Sequence, residues 1–215
     1  MTGVPMHPRL ISLEGGEGAG KSTVIAALQA ELEAGGDSVV CTREPGGTPL
    51  AESIRALLLD SGETPTAQAE LLLMFAARAQ HVHALIRPAL ERGAWVISDR
   101  FTDSSYAYQG GGRGLDRDWI AALEREAVGL QPGLTLLLDL PLDAGRARLQ
   151  GRGGRPDRIE CEQDDFFLRA REAYRARAAA EPHRIRVLDA GLAQAAVAAE
   201  AVAALRNYRQ AQEAG

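Results

Sequence analysis

The chain has 215 residues, 46% of them hydrophobic, and a formal net charge of −5. That length suits one α/β domain with an ample core, and the acidic balance excludes a basic protein that coats nucleic acid. No apolar run approaches the roughly 18 residues of a membrane span, and Cys41 and Cys161 lack metal or redox spacing, as expected of reduced thiols in a cytosolic protein.

Residues 1–8 lack the apolar core of a signal peptide and read as a disordered extension. Residues 9–14 read as a short buried strand. It enters Gly15-Gly16-Glu17-Gly18-Ala19-Gly20-Lys21-Ser22, which fits G-x-x-x-x-G-K-[ST], and residues 22–30 read as the helix leaving that loop. The glycines permit a tight turn and close approach to a ligand. Loop N–H groups and the helix N-terminus then face an anion. Lys21 offers a compact charge to the β- and γ-phosphates of ATP, the Ser22 hydroxyl is placed to reach Mg²⁺, and Thr23 ends the ATP-binding stretch. An accidental glycine-rich turn is the alternative. Lys21 is, however, the only lysine in the chain. An arginine bias explains why lysine is missing elsewhere, but not why one stands here, where a planar guanidinium would not replace it.

Four more apolar runs, 38–42, 94–99, 134–139 and 184–188, read as strands. Near-continuous apolar strands alternating with helices indicate a five-stranded parallel sheet covered on both faces. Such sheets bind ligands at their carboxyl edge. Each run here ends in polar groups: Glu14, Arg43-Glu44, Asp99-Arg100, Asp139 and Asp189. Helical patterns fill the gaps at 49–59, 66–81 (continuing after a break towards Arg92), 116–128 with Asp116 as N-cap, 142–149, 162–180 and 192–208, and the chain frays from Ala211.

The turn Arg43-Glu44-Pro45-Gly46-Gly47-Thr48 is either part of the cleft or a surface salt bridge, and Arg55 points to the cleft or to water. Asp99 is favoured over Asp139 as the acid supporting a metal, because Arg100 beside it supplies an anion contact. Residues 102–114 are dense in hydroxyl, phenol and amide groups, an inventory that suits a sugar and a base edge; a solvent loop is the alternative, which three consecutive glycines would make very costly to order. Residues 150–158, with Arg146 and Arg148 before them, read as an arginine-loaded lid able to exclude water, or else as a solvated basic turn.

These motifs, in this order, resemble the bacterial thymidylate kinases over roughly residues 10–205: Glu14 to Ser22, Thr42 to Thr48, the helix with Phe75 and Arg78, Asp99 to Ser105, Ala107 to Arg113, and Asp157 to Glu160. The resemblance implies a three-layer P-loop fold in a single domain over residues 1–215, with a lid at 150–160. It also implies phosphorylation of dTMP to dTDP by Mg·ATP on the way to dTTP, and a homodimer. It places Glu17 near the deoxyribose 3′-hydroxyl, Arg55 and Arg100 on the acceptor monophosphate, and Arg78, Ser105 and Gln109 around thymine. Tyr108 would crowd the sugar 2′-position. The family variant whose phosphate loop lacks arginine takes its catalytic cation from the lid. Here the loop has none and the lid region carries Arg148, Arg152, Arg155 and Arg158. Lys21, Asp99, Arg100, Arg152 and Arg155 are thus the catalytic candidates, with Ser22 and Asp99 for the metal.

In the family an aromatic residue usually stands four positions before the base-binding arginine. That position is Met74 here, and Phe75 is three before. Both spacings share a helix face, so Phe75 is expected on the base, with a Met74 sulfur contact or core packing of both as alternatives. The lid is one residue longer than usual, which leaves open the choice among its arginines. A kinase of another nucleoside monophosphate and a non-catalytic ATP-binding switch are the rival readings. A GTPase is disfavoured because no N-K-x-D stretch is present.

Overall fold

The computed structural model describes residues 4–60, 62–150 and 157–213. Five strands form one parallel sheet: β1 (Met6–Gly15), β2 (Val39–Arg43), β3 (Trp95–Asp99), β4 (Gln131–Asp139) and β5 (Ile185–Asp189), in spatial order β2-β3-β1-β4-β5. The central strand shows why. Ile11 and Leu13 face one way and Leu10 the other, and all three are fully buried, so both faces need cover.

One face is covered by α1 (Lys21–Ala34) and α9 (Gln194–Glu213), through Val24, Leu28, Leu32, Val197 and Leu205 against Leu134, Leu136 and Leu138. The other face carries α3 (Ala67–His81), α4 (Arg87–Glu91) and α6 (Arg117–Leu123), with Phe75, Ile86, Phe101 and Ile120 inside. α2 (Pro49–Asp60) packs on α3 through Ala51, Ile54, Leu58 and Met74. α7 (Leu142–Gln150) and α8 (Asp164–Ala180) lie beyond β4. Asp116 caps α6 by accepting from the Asp118 N–H, as the sequence predicts.

Three expectations are corrected, and the loop alternative for residues 102–112 is excluded. Residues 4–8 are not an extension: Met6 and His7 pair with Gln131 and Pro132, and the Pro5 carbonyl accepts from the Gln131 N–H at 2.9 Å. The helix from residue 67 does not break before Arg92, because a π-helical turn (Val82–Ile86) carries α3 into α4. The last helix runs on to Glu213 rather than fraying at Ala211. Residues 102–112 are not a loop. They form α5 (Thr102–Ser105) and a π-helical segment (Tyr106–Gly112).

Polar side chains of this last segment bond inward, Asp103 to Arg184 and Arg177, Ser104 to Glu14 and Gln109 to Glu70. Its glycines serve close packing on α8. A Cβ on Gly111 would stand 2.6 Å from the Ala173 Cβ and 2.8 Å from the Arg169 carbonyl oxygen. Gly111→Ala should therefore destabilise the protein by about 1–3 kcal/mol through overpacking, although alanine is the better helix former by about 1 kcal/mol. A denaturant melt with unchanged or raised stability would contradict this packing role.

Candidate active site

β1 delivers the phosphate loop to the carboxyl edge of the sheet. Gly15 (φ 135°) needs both its backbone freedom and its missing side chain, since a Cβ there would strike the Leu138 carbonyl of β4. α1 begins at Lys21, whose ammonium donates to the Gly15 and Gly16 carbonyls, each at 3.3 Å, and stands 4.0 Å from Asp99 Oδ1. Burial, then the Arg100 charge, lower the pKa of Lys21, against the pull of Glu17, Asp99 and Glu14. A cleft of about 500 Å³ opens here, lined by the loop from Glu17 to Thr23 together with Asp99, Arg148 and Gln194. A side crevice continues it past Ala190, Leu192 and Val197. Sequence reasoning missed Gln194 and Leu192. The turn after β5, where the Gly191 N–H donates to Asp189 at 2.8 Å, was the available signal.

β3 ends in a corner at Arg100, the one non-glycine residue with positive φ (72°) among those described. The left-handed conformation costs a side-chain-bearing residue about 1–2 kcal/mol and persists where surrounding bonds over-determine it. Here the Arg100 N–H donates to the Leu13 carbonyl (2.9 Å) and its own carbonyl accepts from the Ser98 hydroxyl (2.7 Å). The side chain donates to the Gly15 carbonyl at 3.1 Å, pairs with Glu17, and lies 5.0 Å from the Tyr108 ring centre. Burial opposes the Arg100 charge, but the fields of Tyr108, Glu17, Tyr174 and Asp99 outweigh it and hold the pKa well above the usual value.

Arg78 is only 1% exposed. It donates to Glu44 (2.5 Å), to the Ser105 hydroxyl (3.0 Å) and to the Phe101 carbonyl (3.1 Å). Glu44 is braced on its other oxygen by His81 Nδ1 (3.1 Å), and His81 Nε2 meets the Thr42 hydroxyl (2.7 Å). Thus Glu44, not the exposed Arg43–Glu52 pair, is the inward-facing member of that turn. Gln109 is buried; its amide N–H donates to Glu70 at 2.9 Å and its oxygen has no partner. The buried Tyr108 phenol has its pKa pushed up to about 12, first by burial. Arg55 is half-buried and donates to the Pro45 carbonyl at 2.9 Å.

Phe75 is 2% exposed, clustered with Leu71, Val96 and Phe101, and Arg78 lies over its ring at 4.8 Å. Met74 packs towards α2, with Ala51, Ile54 and Leu58. Arg158 is not a free lid cation: it donates to Glu70 (2.6 Å) and to the Leu58 carbonyl (2.8 Å). Arg148 does line the cleft and donates to the Gly18 carbonyl at 3.3 Å. Arg152 and Arg155 lie outside the described residues. Asp139 forms a two-pronged pair with Arg171 (2.6 and 2.9 Å), whereas Asp99 lines the cleft beside Lys21. Oδ1 of Asp99 is buried without a hydrogen bond and Ser22 is exposed in the same cleft. One carboxylate and one hydroxyl fit Mg²⁺, which keeps waters and relies on substrate phosphates for its other ligands.

Beneath this corner sits Glu14, a site residue visible in the sequence only as the lone acid of an apolar run. It is fully buried and accepts from the Phe101 N–H (2.7 Å), the Ser104 hydroxyl (2.6 Å) and the Tyr174 hydroxyl (2.8 Å).

The sheet order, the loop and the cleft define a P-loop α/β protein with a nucleotide-phosphate site at the carboxyl edge of its sheet. The family model described as thymidylate kinase matches residues 13–201. A thymidylate kinase of Chromohalobacter salexigens is 58% identical over 200 residues, covering 92% of this chain and 94% of that protein. One of Methylococcus capsulatus is 50% identical over 211 residues, covering 93% and 98%. The crystal structure of thymidylate kinase from Ehrlichia chaffeensis superposes with a TM-score of 0.73 at 32% identity, over 92% of this chain and 97% of that one. The chain belongs to the thymidylate kinase family.

Burial, then the Asp103 charge, raise the Glu14 pKa from 4.5 to about 7, against Ser104, Arg100 and Tyr174. Between those values the folded chain holds a proton that the unfolded chain releases, so this group's contribution to stability falls as pH rises from 4.5 to 7. Glu14→Gln should flatten the decline in melting temperature across that window. A decline as steep as in the wild type would place the titration elsewhere.

Proposed function

We propose that the chain transfers the γ-phosphoryl group of Mg·ATP to the 5′-phosphate of dTMP, giving dTDP and ADP. The observation that carries this reading is one carbonyl. Gly15 O accepts from Lys21 at 3.3 Å and from Arg100 at 3.1 Å, so the donor cation and the acceptor cation meet end to end. Membership of the thymidylate kinase family supports the choice of dTMP.

The acceptor is a phosphate monoester with a second pKa of about 6, already mostly a dianion at neutral pH. No strong general base is therefore needed, and catalysis comes from positioning and charge stabilisation. Lys21 and the loop N–H groups hold the donor phosphates, while Arg100 and Arg55 hold the acceptor. Ser22 and Asp99 would hold Mg²⁺, which would supply charge neutralisation at the donor phosphates. Arg148 flanks the ATP base and phosphates, and residues 150–160 form the lid from which Arg152 or Arg155 completes the phosphoryl clamp. Thymine needs an acceptor for its N3–H and a donor for its O4. The unpartnered oxygen of Gln109 meets the first need and Arg78, beside Ser105, the second. Glu17 turns from Arg100 towards the 3′-hydroxyl, and Tyr108 crowds the 2′-position. We place the protein in the cytoplasm; among the described residues no helix is long and apolar enough to cross a membrane. We also propose a homodimer joined through exposed Leu50, Leu57 and Leu72 on α2 and α3, which a light-scattering mass of one chain would rule out.

A coupled assay with Mg·ATP and a panel of nucleoside monophosphates should give fastest turnover with dTMP, slower turnover with its ribose counterpart, and none in Lys21→Ala with the fold retained. Preference for another base would move the chain to the rival kinase reading. ATP binding without turnover of any acceptor would make it a switch. Among single replacements of Arg148, Arg152 and Arg155, one should lower kcat by about 10³ or more, the low end of arginine-finger effects. If none does, the clamp lies elsewhere.

A further inference from the structure

α7 carries a glycine where a helix gains least from one. Glycine in a helix interior costs roughly 0.5–1 kcal/mol relative to alanine, yet Gly145 is the one buried position among residues 142–149 of α7. The reason lies across from it. A Cβ on Gly145 would stand 2.8 Å from the Glu17 carbonyl oxygen, and a Cβ on Gly18 would stand 2.6 Å from the Gly145 carbonyl oxygen. The helix backbone and the phosphate-loop backbone therefore touch with no side chain between them.

Three residues on, and so on the same helix face, Arg148 donates to the Gly18 carbonyl at 3.3 Å. It lines both the loop cleft and the side crevice with Ala190, Leu192 and Gln194. A planar, permanently charged guanidinium beside a phosphate loop suits a nucleoside triphosphate, but only if its helix lies close enough to aim it.

We infer that Gly145 is a positioning residue: by lacking a side chain it seats α7 on the phosphate loop and aims Arg148 at the bound ATP. The inference rests on the ATP-binding reading of the loop. A methyl group at 145 pushes helix and loop apart, lifting Arg148 from the donor side. Of the acceptor contacts only Glu17 touches this seam, through its carbonyl; Arg100, Arg78 and Gln109 come from other elements.

The test is calorimetric titration of Mg·ATP and, separately, dTMP into the wild type, Gly145→Ala, Arg148→Ala and the double variant, each with a thermal melt. Ala147→Gly, exposed on α7 and clear of the loop, is the control for helix propensity. Gly145→Ala should weaken ATP binding by about ten- to a hundredfold, the scale of a 1 Å misplacement. It should weaken dTMP binding by clearly less than ATP binding, because Glu17 is the one acceptor contact at the seam. The double variant should bind ATP no more weakly than Arg148→Ala alone, because both changes remove one interaction. Unchanged ATP affinity in Gly145→Ala, equal losses for both nucleotides, additive losses in the double variant, a like effect from Ala147→Gly, or failure to fold would each overturn the inference. A wild type that does not bind ATP would instead overturn the reading on which it rests.

Discussion

The carbonyl oxygen of Gly15 takes a hydrogen bond from Lys21 on one side and from Arg100 on the other. Two like charges converge on one backbone atom at the end of the central strand. That convergence is tolerable because carboxylates surround it: Glu17 pairs with Arg100, and Asp99 faces Lys21. The arrangement suits a protein that must bring two polyanions together. Before ligands arrive, the cations are held by carboxylates and carbonyls, and phosphates can take over those contacts without the cations travelling far. Fixed charge aimed at a site before the ligand arrives needs little reorganisation during reaction.

What keeps the corner in place is its buried footing. Arg100 sits in a left-handed conformation that its neighbours enforce through Leu13 and Ser98. Glu14, one layer below, gathers Phe101, Ser104 and Tyr174. On the acceptor side the same device recurs: Glu44 is pinned by His81 and holds Arg78. In both places a buried carboxylate orients an arginine or its backbone. Breaking the Glu44–Arg78 pair is costly, because the partner left behind is an uncompensated buried charge. The site is thus rigid where the acceptor binds, while the donor side depends on how closely α7 lies on the phosphate loop.

Much of this was readable from residues alone, for identifiable reasons. The five strands are near-continuous apolar runs because both faces of a parallel sheet are covered, and the phosphate loop declares itself through glycine spacing and a solitary lysine. Asp99 was separable from Asp139 by its arginine neighbour, although the Asp139–Arg171 pair spans 32 residues and carries no local signal. The helical form of residues 102–112 was not legible, because its polar groups find distant buried partners and its glycines, which disfavour a helix, admit α8. Met6 and His7 looked like a tail because their partners, Gln131 and Pro132, are distant in sequence.

The account stands or falls on the corner between β1 and β3. A crystal structure with dTMP bound tests it most directly. The 5′-phosphate should lie on Arg100 and Arg55, with Arg100 still in its left-handed conformation and Glu17 released towards the sugar. A phosphate held by other residues, or an Arg100 relaxed to negative φ, would contradict the claim that this strained arginine is built to receive the acceptor.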